Sequence, residues 1–419
     1  MNERLHRLSK TIGPGILFAC TAIGVSHLVQ STRAGAEFGF LLIGFVVLAN
    51  LFKYPFFEYS SRYANVTGTS IIDGYKRLGK HSLILYFLIT IASMFFVTAA
   101  VGFVTAGFLE NLFHIEFLDF WTIIILFAIC AGILIVGKYS VLDGLVKIIG
   151  SVLLVSTIMA FLLALINGPV ERVEGFQLPE IWDQAGIFFL IALMGWMPMP
   201  VDISSWHSLW TLERIKQTNF KPRLKETLLD FNFGYVVTAV LALIFVTLGA
   251  YIFFGAGEEL PNNNALFAHK VVTLFTETIG DWTYIIIAAS AFSVMFGTII
   301  AVFDGYSRSL VRTIQLLFSK DISKPKPKFQ TTYILFIFIL AIGSLVVVFQ
   351  FGDKLKELVD FATIVSFLIA PIIAIFNFRL VTGKYLAKEV QPPAWLKILS
   401  YLGILFLIGF AIFFIITRF

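Results

Sequence analysis

The sequence has few charged residues and almost no cysteine. Only 14% of its 419 residues are charged, whereas soluble globular proteins have about 25%. Both cysteines, Cys20 and Cys130, lie in apolar runs, so the chain has neither a disulfide framework nor the CxxC spacing of a metal site. The HExxH and GxSxG motifs of metalloproteases and hydrolases are also absent. We therefore expect neither enzymatic activity nor a cofactor.

Apolar residues are in excess: 58% of the chain is hydrophobic and 16% is aromatic. They occur in repeated runs of about 20 residues, the length that crosses a bilayer as an α-helix. The sequence therefore predicts an all-α polytopic membrane protein without a separate soluble domain. The eleven predicted spans are residues 12–38, 40–61, 83–110, 119–137, 144–167, 184–211, 229–255, 282–307, 331–351, 358–379 and 395–417.

The loops between these spans alternate in charge. Lysine and arginine concentrate at the N-terminus and in every second loop, as in 213–227 with Lys216 and Arg223, while the opposite loops are acidic or neutral. This asymmetry predicts a cytoplasmic N-terminus and an external C-terminus in a multi-pass protein of the plasma (inner) membrane. Because the net charge of +5 comes from these loops, we expect contact with lipid and no nucleic-acid partner.

Two of the predicted spans are interrupted. The first contains Gly24, Ser26 and His27 in mid-span, and the sixth contains Pro198 and Pro200. Proline removes a backbone donor and clashes with the preceding turn. Irregular backbone at membrane depth persists only where it is buried in protein or lines a wet cavity. Interrupted helices at matching places in two halves of a chain indicate the substrate site of a transporter.

The spacing of the two breaks predicts an internal repeat. The first and sixth spans are five apart, which indicates a five-plus-five inverted repeat within a single transporter domain. The first repeat would cover about 12–167 and the second about 184–380, with 395–417 as an added helix. The two broken helices would rock against the remainder to give alternating access.

The breaks carry residues with useful chemistry. A charge at mid-bilayer costs about 2.5–3.5 kcal/mol, so Asp202 must face a partner, an ion or water, and it can also cap the half-helix that follows. His27 and His207 can titrate or bind metal, or they are hydrogen-bonded interior histidines. Met197 and Met199 either offer soft thioether ligands or pack the interior.

Proton coupling has three candidate residues. Asp202 and His207 lie in the sixth span, and Glu37 lies at the outer end of the first. Each side chain can take up and release a proton, so the transported solute is predicted to move with protons through one of them.

Short motifs along the chain resemble a known family. The motifs are GPG (13–15), AGAEFGF (34–40), ANLF (49–52), SRYANVTG (61–68) and Met199-Pro200. In these the chain resembles the Nramp family of proton-coupled divalent-metal transporters. The resemblance implies the leucine-transporter-like fold, with helices 1 and 6 broken.

The ligand motifs of that family are altered here. Its Asp-Pro-Gly-Asn motif of the first helix corresponds to residues 24–27, and both ligand identities are lost. Its Met-Pro-His-Asn motif corresponds to 199–202, where the methionine is kept and Asp202 replaces the asparagine. A tenth-helix position that often holds a ligand glutamine corresponds to Thr363. The predicted substrate-binding residues are Gly24, Ser26, His27, Met197, Met199, Asp202, Ser205 and Thr363.

These residues leave two main readings of the substrate. In the first, Met199, Asp202 and His27 bind a cation, which we expect to be a divalent metal of the Mn/Fe or Mg kind. In the second, the serines and histidines form a polar pocket for a small organic or anionic solute. A channel or a non-transporting sensor on the same scaffold is a further alternative. The family resemblance favours the cation.

Overall fold

The computed structural model describes residues 7, 9–115, 120–136, 139–257, 259–318 and 329–418. Within these ranges the chain forms helices and turns, without a β-strand. The α-helices are α1 (Pro14–Ala22), α2 (Thr32–Phe38), α3 (Ile43–Thr67), α4 (Ile71–Leu78), α5 (Lys80–Phe113), α6 (Phe120–Val136), α7 (Tyr139–Asn167), α8 (Gln184–Gly195), α9 (Ser204–Thr218), α10 (Leu224–Ile252), α11 (Asn264–Ile279), α12 (Tyr284–Phe318), α13 (Phe329–Phe351), α14 (Leu355–Thr382) and α15 (Ala394–Arg418).

The helices agree with the predicted all-α membrane architecture. Each of the eleven predicted segments coincides with one helix or, for the first and sixth, with a broken pair. Within the described ranges, six helices are long and apolar enough to cross a membrane: α5, α10, α12, α13, α14 and α15. The first broken pair, Pro14–Ala22 with Ser26–Phe38, is bent by 43° and makes a seventh candidate span.

Two helices lie where the sequence analysis placed loops. α4 begins with a capping box, in which the Ser70 hydroxyl accepts from the Asp73 N–H and the Asp73 carboxylate accepts from the Ser70 N–H. α11 is capped by Asn263, whose side-chain oxygen accepts from the Leu266 N–H. Both helices are too short to register as spans, and they are marked by their cap residues and by apolar residues at helical spacing, such as Phe267 and Val271 in α11.

α10 holds both halves of the first broken helix by backbone contact. A Cβ added to Gly234 would lie 2.0 Å from the Gly15 carbonyl oxygen in α1. A Cβ on Gly249 would lie 2.2 Å from the Thr32 carbonyl oxygen, and one on Gly35 would lie 2.0 Å from that of Val246. Small residues allow such close approach between membrane helices. These glycines therefore fix α1 and α2 against one common partner.

The N-terminus of α1 is capped by a side chain from α10. The Asp230 carboxylate accepts hydrogen bonds from the Gly13 N–H (3.1 Å) and the Gly15 N–H (2.7 Å), and all three residues are buried. The first N–H groups of a helix have no partner within the helix, and an anion there also complements the helix dipole. Asp230 thus stabilises the start of the broken helix from 215 residues away in sequence.

We expect Asp230→Ala to lower the free energy of unfolding by about 2 kcal/mol or more, because two buried N–H groups lose a charged acceptor. Asp230→Asn keeps one acceptor oxygen and should lose less. Thermal unfolding of the detergent-purified protein measures both changes. An alanine variant as stable as wild type would show that water replaces the cap.

Candidate functional site

The first helix is interrupted directly after α1. The chain leaves the α-helix at Ile23 and Gly24 and continues through a π-helical turn, Ser26–Ser31, into α2. A Cβ on Gly24 would lie 2.8 Å from the Thr298 side chain of α12. Gly24 therefore allows α12 to approach the break closely.

The sixth helix is interrupted where the prolines lie. α8 ends at Gly195, residues 196–200 are not helical, and a 3-10 turn at Val201–Ile203 leads into α9. Pro198 and Pro200 have no N–H to donate, so they cannot continue the hydrogen-bond ladder of α8. The two halves of the helix meet in the protein interior, where all of residues 186–187 and 189–208 are buried.

A small cavity lies between the two breaks. The volume that a water-sized molecule can occupy is about 30 Å³, enough for an ion or one or two water molecules. The lining carries no charged side chain and is mainly apolar, and its side-chain oxygen atoms belong to hydroxyl groups. Its lining comes from both breaks, α5 and α12: Thr21, Ala22, Val25, Ser26, Val97, Val101, Trp196, Pro198, Met199, Pro200, Ile203, Thr298 and Val302.

Of the residues predicted to bind substrate, Ser26 and Met199 line this cavity. The Ser26 hydroxyl donates back to the Ala22 carbonyl oxygen, and the Thr21 hydroxyl donates to that of Leu17 at 2.7 Å. Because their protons are used within the helix, these hydroxyls can only accept from, or coordinate, whatever occupies the cavity. Oxygen atoms that present lone pairs to the cavity suit a cation.

Asp202 is buried in the 3-10 turn that follows the cavity-lining prolines, with 4% of its surface exposed. Its Oδ2 atom is 3.5 Å from the Ser93 hydroxyl, and its Oδ1 atom accepts no well-formed hydrogen bond from the described residues. No salt bridge to Asp202 occurs within those residues either, although Lys53 is near enough to interact with it electrostatically. The carboxylate is therefore buried with few partners.

Lys53 is a buried cation that the sequence analysis overlooked. It lies in the middle of α3 and is fully buried, and its ammonium reaches into the break of the sixth helix. There Nζ donates to the carbonyl oxygens of Met194 (2.5 Å), Gly195 (2.8 Å) and Met199 (3.5 Å). The first two carbonyls belong to the C-terminal end of α8, the negative end of its dipole.

The two predicted histidines occupy different surroundings. His27 has Nδ1 2.7 Å from the Ala22 carbonyl oxygen and Nε2 2.8 Å from that of Thr238, so both ring nitrogens already face hydrogen-bond acceptors. His207 is 1% exposed and stacks on Phe18 with ring centroids 5.7 Å apart, and its ring nitrogens make no hydrogen bond within the described residues. Neither ring lines the cavity.

The remaining predicted binding residues lie around the sixth-helix break. Met197 is fully buried in an apolar cluster that also contains residues of α3, α14 and α15. The Ser205 hydroxyl donates to the Asp202 carbonyl oxygen at 2.8 Å and contacts the Tyr86 hydroxyl at 2.7 Å. Thr363 lies in α14, where its carbonyl oxygen would be 2.0 Å from a Cβ on Gly195, and its hydroxyl donates to the Asp360 carbonyl oxygen.

A buried ion pair ties α2 to α14. Arg33 donates to both carboxylate oxygens of Asp360, at 2.7 and 3.2 Å, and Gln30 bridges the two side chains. Glu37, a predicted proton-coupling residue, accepts from the same guanidinium at 3.1 Å and remains about a third exposed. The planar guanidinium thus links the second half of the first helix to the tenth span.

The overlooked residues share one signal in the sequence. Lys53, Arg33 and Asp360 are charged residues inside or at the edge of apolar runs, where an ionisable residue indicates function by default. The Gly195 carbonyl bound by Lys53 is a backbone group 142 residues away, and Arg33 and Asp360 are 327 residues apart, so the sequence alone does not pair them. The described residues contain no group of three or more His, Cys, Asp or Glu side chains that could hold a metal.

Comparison with solved structures identifies the fold. The Eremococcus coleocola manganese transporter matches with a TM-score of 0.71 and 16% identity, over 98% of this chain and 87% of that one. MhsT in complex with L-phenylalanine matches with a TM-score of 0.61 and 12% identity, over 97% and 98% of the two chains. The chain therefore has the leucine-transporter-like fold that the sequence resemblance implied.

Comparison of sequences identifies the family. An uncharacterised protein of Pasteurella multocida is 35% identical over 412 residues, which cover 98% of this chain and 93% of that protein. The divalent metal cation transporter MntH of Pediococcus pentosaceus is 22% identical over 406 residues, covering 92% and 86%. The model of the natural resistance-associated macrophage protein-like (Nramp) family matches residues 15–417. The chain belongs to the Nramp family.

Proposed function

We propose that this chain is a secondary transporter that carries a metal cation across the membrane by alternating access. The observation that carries the proposal is the cavity between the two helix breaks, whose volume of about 30 Å³ suits an ion. Pockets for small organic molecules are about ten times larger, roughly 300 Å³ or more. Relatives named as divalent metal cation transporters, and the solved manganese transporter, support the same class of substrate.

The proposed cation site combines an acid with softer groups. Asp202 supplies the negative charge beside the cavity, and Met199 supplies a thioether at its wall. Ser26 and the backbone near Gly24 add neutral oxygens. His27 would join this ligand set only if one ring nitrogen left the carbonyl oxygen that it now faces. One carboxylate with neutral oxygens suits a hard divalent cation such as Mg²⁺ or Mn²⁺, and the thioether adds affinity for a softer transition metal.

Proton coupling forms part of this proposal, with Asp202 as its centre. The weak contact of Asp202 with Ser93 continues to the Tyr306 hydroxyl at 3.4 Å, which gives the carboxylate a hydroxyl-lined surrounding. A proton and a metal ion would then compete for the same carboxylate. Glu37 is a less central candidate because Arg33 already holds it as a partner, and His207 is enclosed by aromatic rings.

We further propose the two inverted repeats 12–167 and 184–380, with 395–417 as an added helix, because each begins with a broken helix. The proposed orientation places the N-terminus in the cytoplasm, supported by the basic loops on that side. In this orientation the ion pair of Arg33 with Asp360 lies on the outer side of the cavity. It would act as the outer gate of alternating access.

A second candidate substrate is a small organic or anionic solute. Lys53 favours it, because the ammonium already occupies carbonyl oxygens of the sixth-helix break that a metal ion could otherwise use. Uptake measurements with metal ions separate the two candidates.

We expect reconstituted wild-type protein to take up Mn²⁺ or Mg²⁺ saturably, and Asp202→Asn to reduce the uptake. Losing one charged ligand costs ~1.4 kcal/mol or more, which corresponds to about tenfold weaker binding. Asp353→Asn, which removes an exposed carboxylate, is the matched control and should behave as wild type. A pH-sensitive dye inside the vesicles reports whether protons move with the metal. Correctly inserted protein that moves neither metal would favour the organic or anionic solute.

We expect Asp360→Asn to open the outer side of the site. A membrane-impermeant thiol reagent, added outside, would report this as faster labelling of Ser26→Cys in a background with Cys20 and Cys130 replaced by alanine. Breaking a buried ion pair shifts the conformational equilibrium enough for about a tenfold faster reaction. Glu37→Gln removes only the partner that is about a third exposed and should leave the rate almost unchanged. Equal rates for all three proteins would contradict a gating role for this ion pair.

A further inference from the structure

The proline residues of the sixth helix create a gap in its hydrogen-bond ladder. In a continuous helix the carbonyl oxygen of Met194 would accept from the N–H of residue 198, but that residue is proline and has no N–H. The helix ends at Gly195, so the last carbonyl groups of α8 lack their i+4 donors, and the Met194 carbonyl accepts instead from the Met197 N–H at a long 3.4 Å. At membrane depth no lipid group can replace those donors, and each unsatisfied carbonyl would cost free energy.

The ammonium of Lys53 fills this gap. It is fully buried and has three N–H donors, and its three acceptors are the carbonyl oxygens of Met194, Gly195 and Met199. Carbonyl oxygens grouped at a helix C-terminus are also the environment in which broken-helix transporters coordinate a monovalent cation. The three carbonyl oxygens thus form a cation site, and the cation that occupies it is covalently attached to the neighbouring helix α3.

The charges around the ammonium fit the same description. Asp202 is the acidic side chain whose charge acts on Lys53, and no salt bridge joins the two within the described residues. Lys53 makes its stated hydrogen bonds to carbonyl groups and not to that carboxylate. A second cation at these carbonyls would meet the positive charge of Lys53 at contact distance, and would have to displace it.

We propose that the break of the sixth helix is a monovalent-cation site that is permanently filled by the Lys53 ammonium, and that it accepts a free monovalent cation once Lys53 is removed. The tethered charge takes the role of a bound inorganic ion at this break. The transported solute then binds on the opposite, cavity side of the break, at Ser26 and Met199. This inference concerns the carbonyl site and holds for either proposed substrate.

The test is chemical rescue of Lys53→Ala. The atoms removed from the side chain correspond to n-propylammonium, so this cation should bind the vacated site and stabilise the folded protein. We expect a saturable rise in the Tm of Lys53→Ala of ~3 °C or more with n-propylammonium, and no rise for wild type. Tetramethylammonium, which has no N–H donor, should not rescue. Lys53→Met keeps a stem of the same length as Cβ to Cε and loses only the nitrogen, so NH4⁺ or K⁺ should replace n-propylammonium there.

The matched control is Lys76→Ala. Lys76 also donates its ammonium to a backbone carbonyl, that of Leu316 at 2.6 Å, but it is partly exposed and water can replace it. The Tm of the Lys76→Ala protein should not change when alkylammonium ions are added. If both Lys53 variants are purified and neither is stabilised by any of these cations, the proposal is overturned. It is also overturned if neither folds and no cation restores the yield of folded protein.

These measurements use detergent-purified protein and no transport assay. A protein that shows rescue but carries no metal in vesicles would keep the carbonyl site and lose the proposed metal transport. Metal uptake without rescue would keep the proposed metal transport and lose the carbonyl site. The two proposals therefore fail separately.

Discussion

The requirement that every buried backbone group has a partner governs this molecule. A bilayer offers no water to a broken helix, so the N–H and C=O groups freed at each break must bond to protein. At the start of the first helix the Asp230 carboxylate accepts from two N–H groups, and at the end of α8 the Lys53 ammonium donates to carbonyl oxygens. Opposite charges thus complete opposite ends of the two broken helices, as the helix dipole requires.

The same requirement explains the character of the cavity. Its wall is formed by apolar side chains, hydroxyl groups and Met199, while the charged residues lie behind it. Lys53 is bound to backbone carbonyl groups, and Asp202 carries few contacts of its own. The electric field inside the cavity is therefore set by charged side chains that lie behind the lining residues. Their charges act strongly because the protein between them and the cavity has a low dielectric constant. An ion in this cavity would be held partly by direct ligands and partly by that field.

The sequence predicts the helices of this chain better than the contacts of its site. Apolar runs of membrane length mark the eleven segments, and prolines and small polar residues mark both breaks, because these features depend on neighbouring residues. α4 and α11 escape that analysis because they are shorter than a membrane span, although caps such as Ser70 and Asn263 mark where they begin. The contacts of His27 and Lys53 are not predictable either, because their acceptors are backbone atoms of distant helices.

The paired glycine contacts of α10 fasten the two halves of the first helix at two separate points. One contact, at Gly15 and Gly234, clamps the half that precedes the bend, and the other, around Gly35 and Gly249, clamps the half that follows it. The two contacts share no residue, so loss of one leaves the glycines of the other in place. In the alternating access proposed for this chain, either arm of the bent helix would move with the contact of the other arm as its pivot.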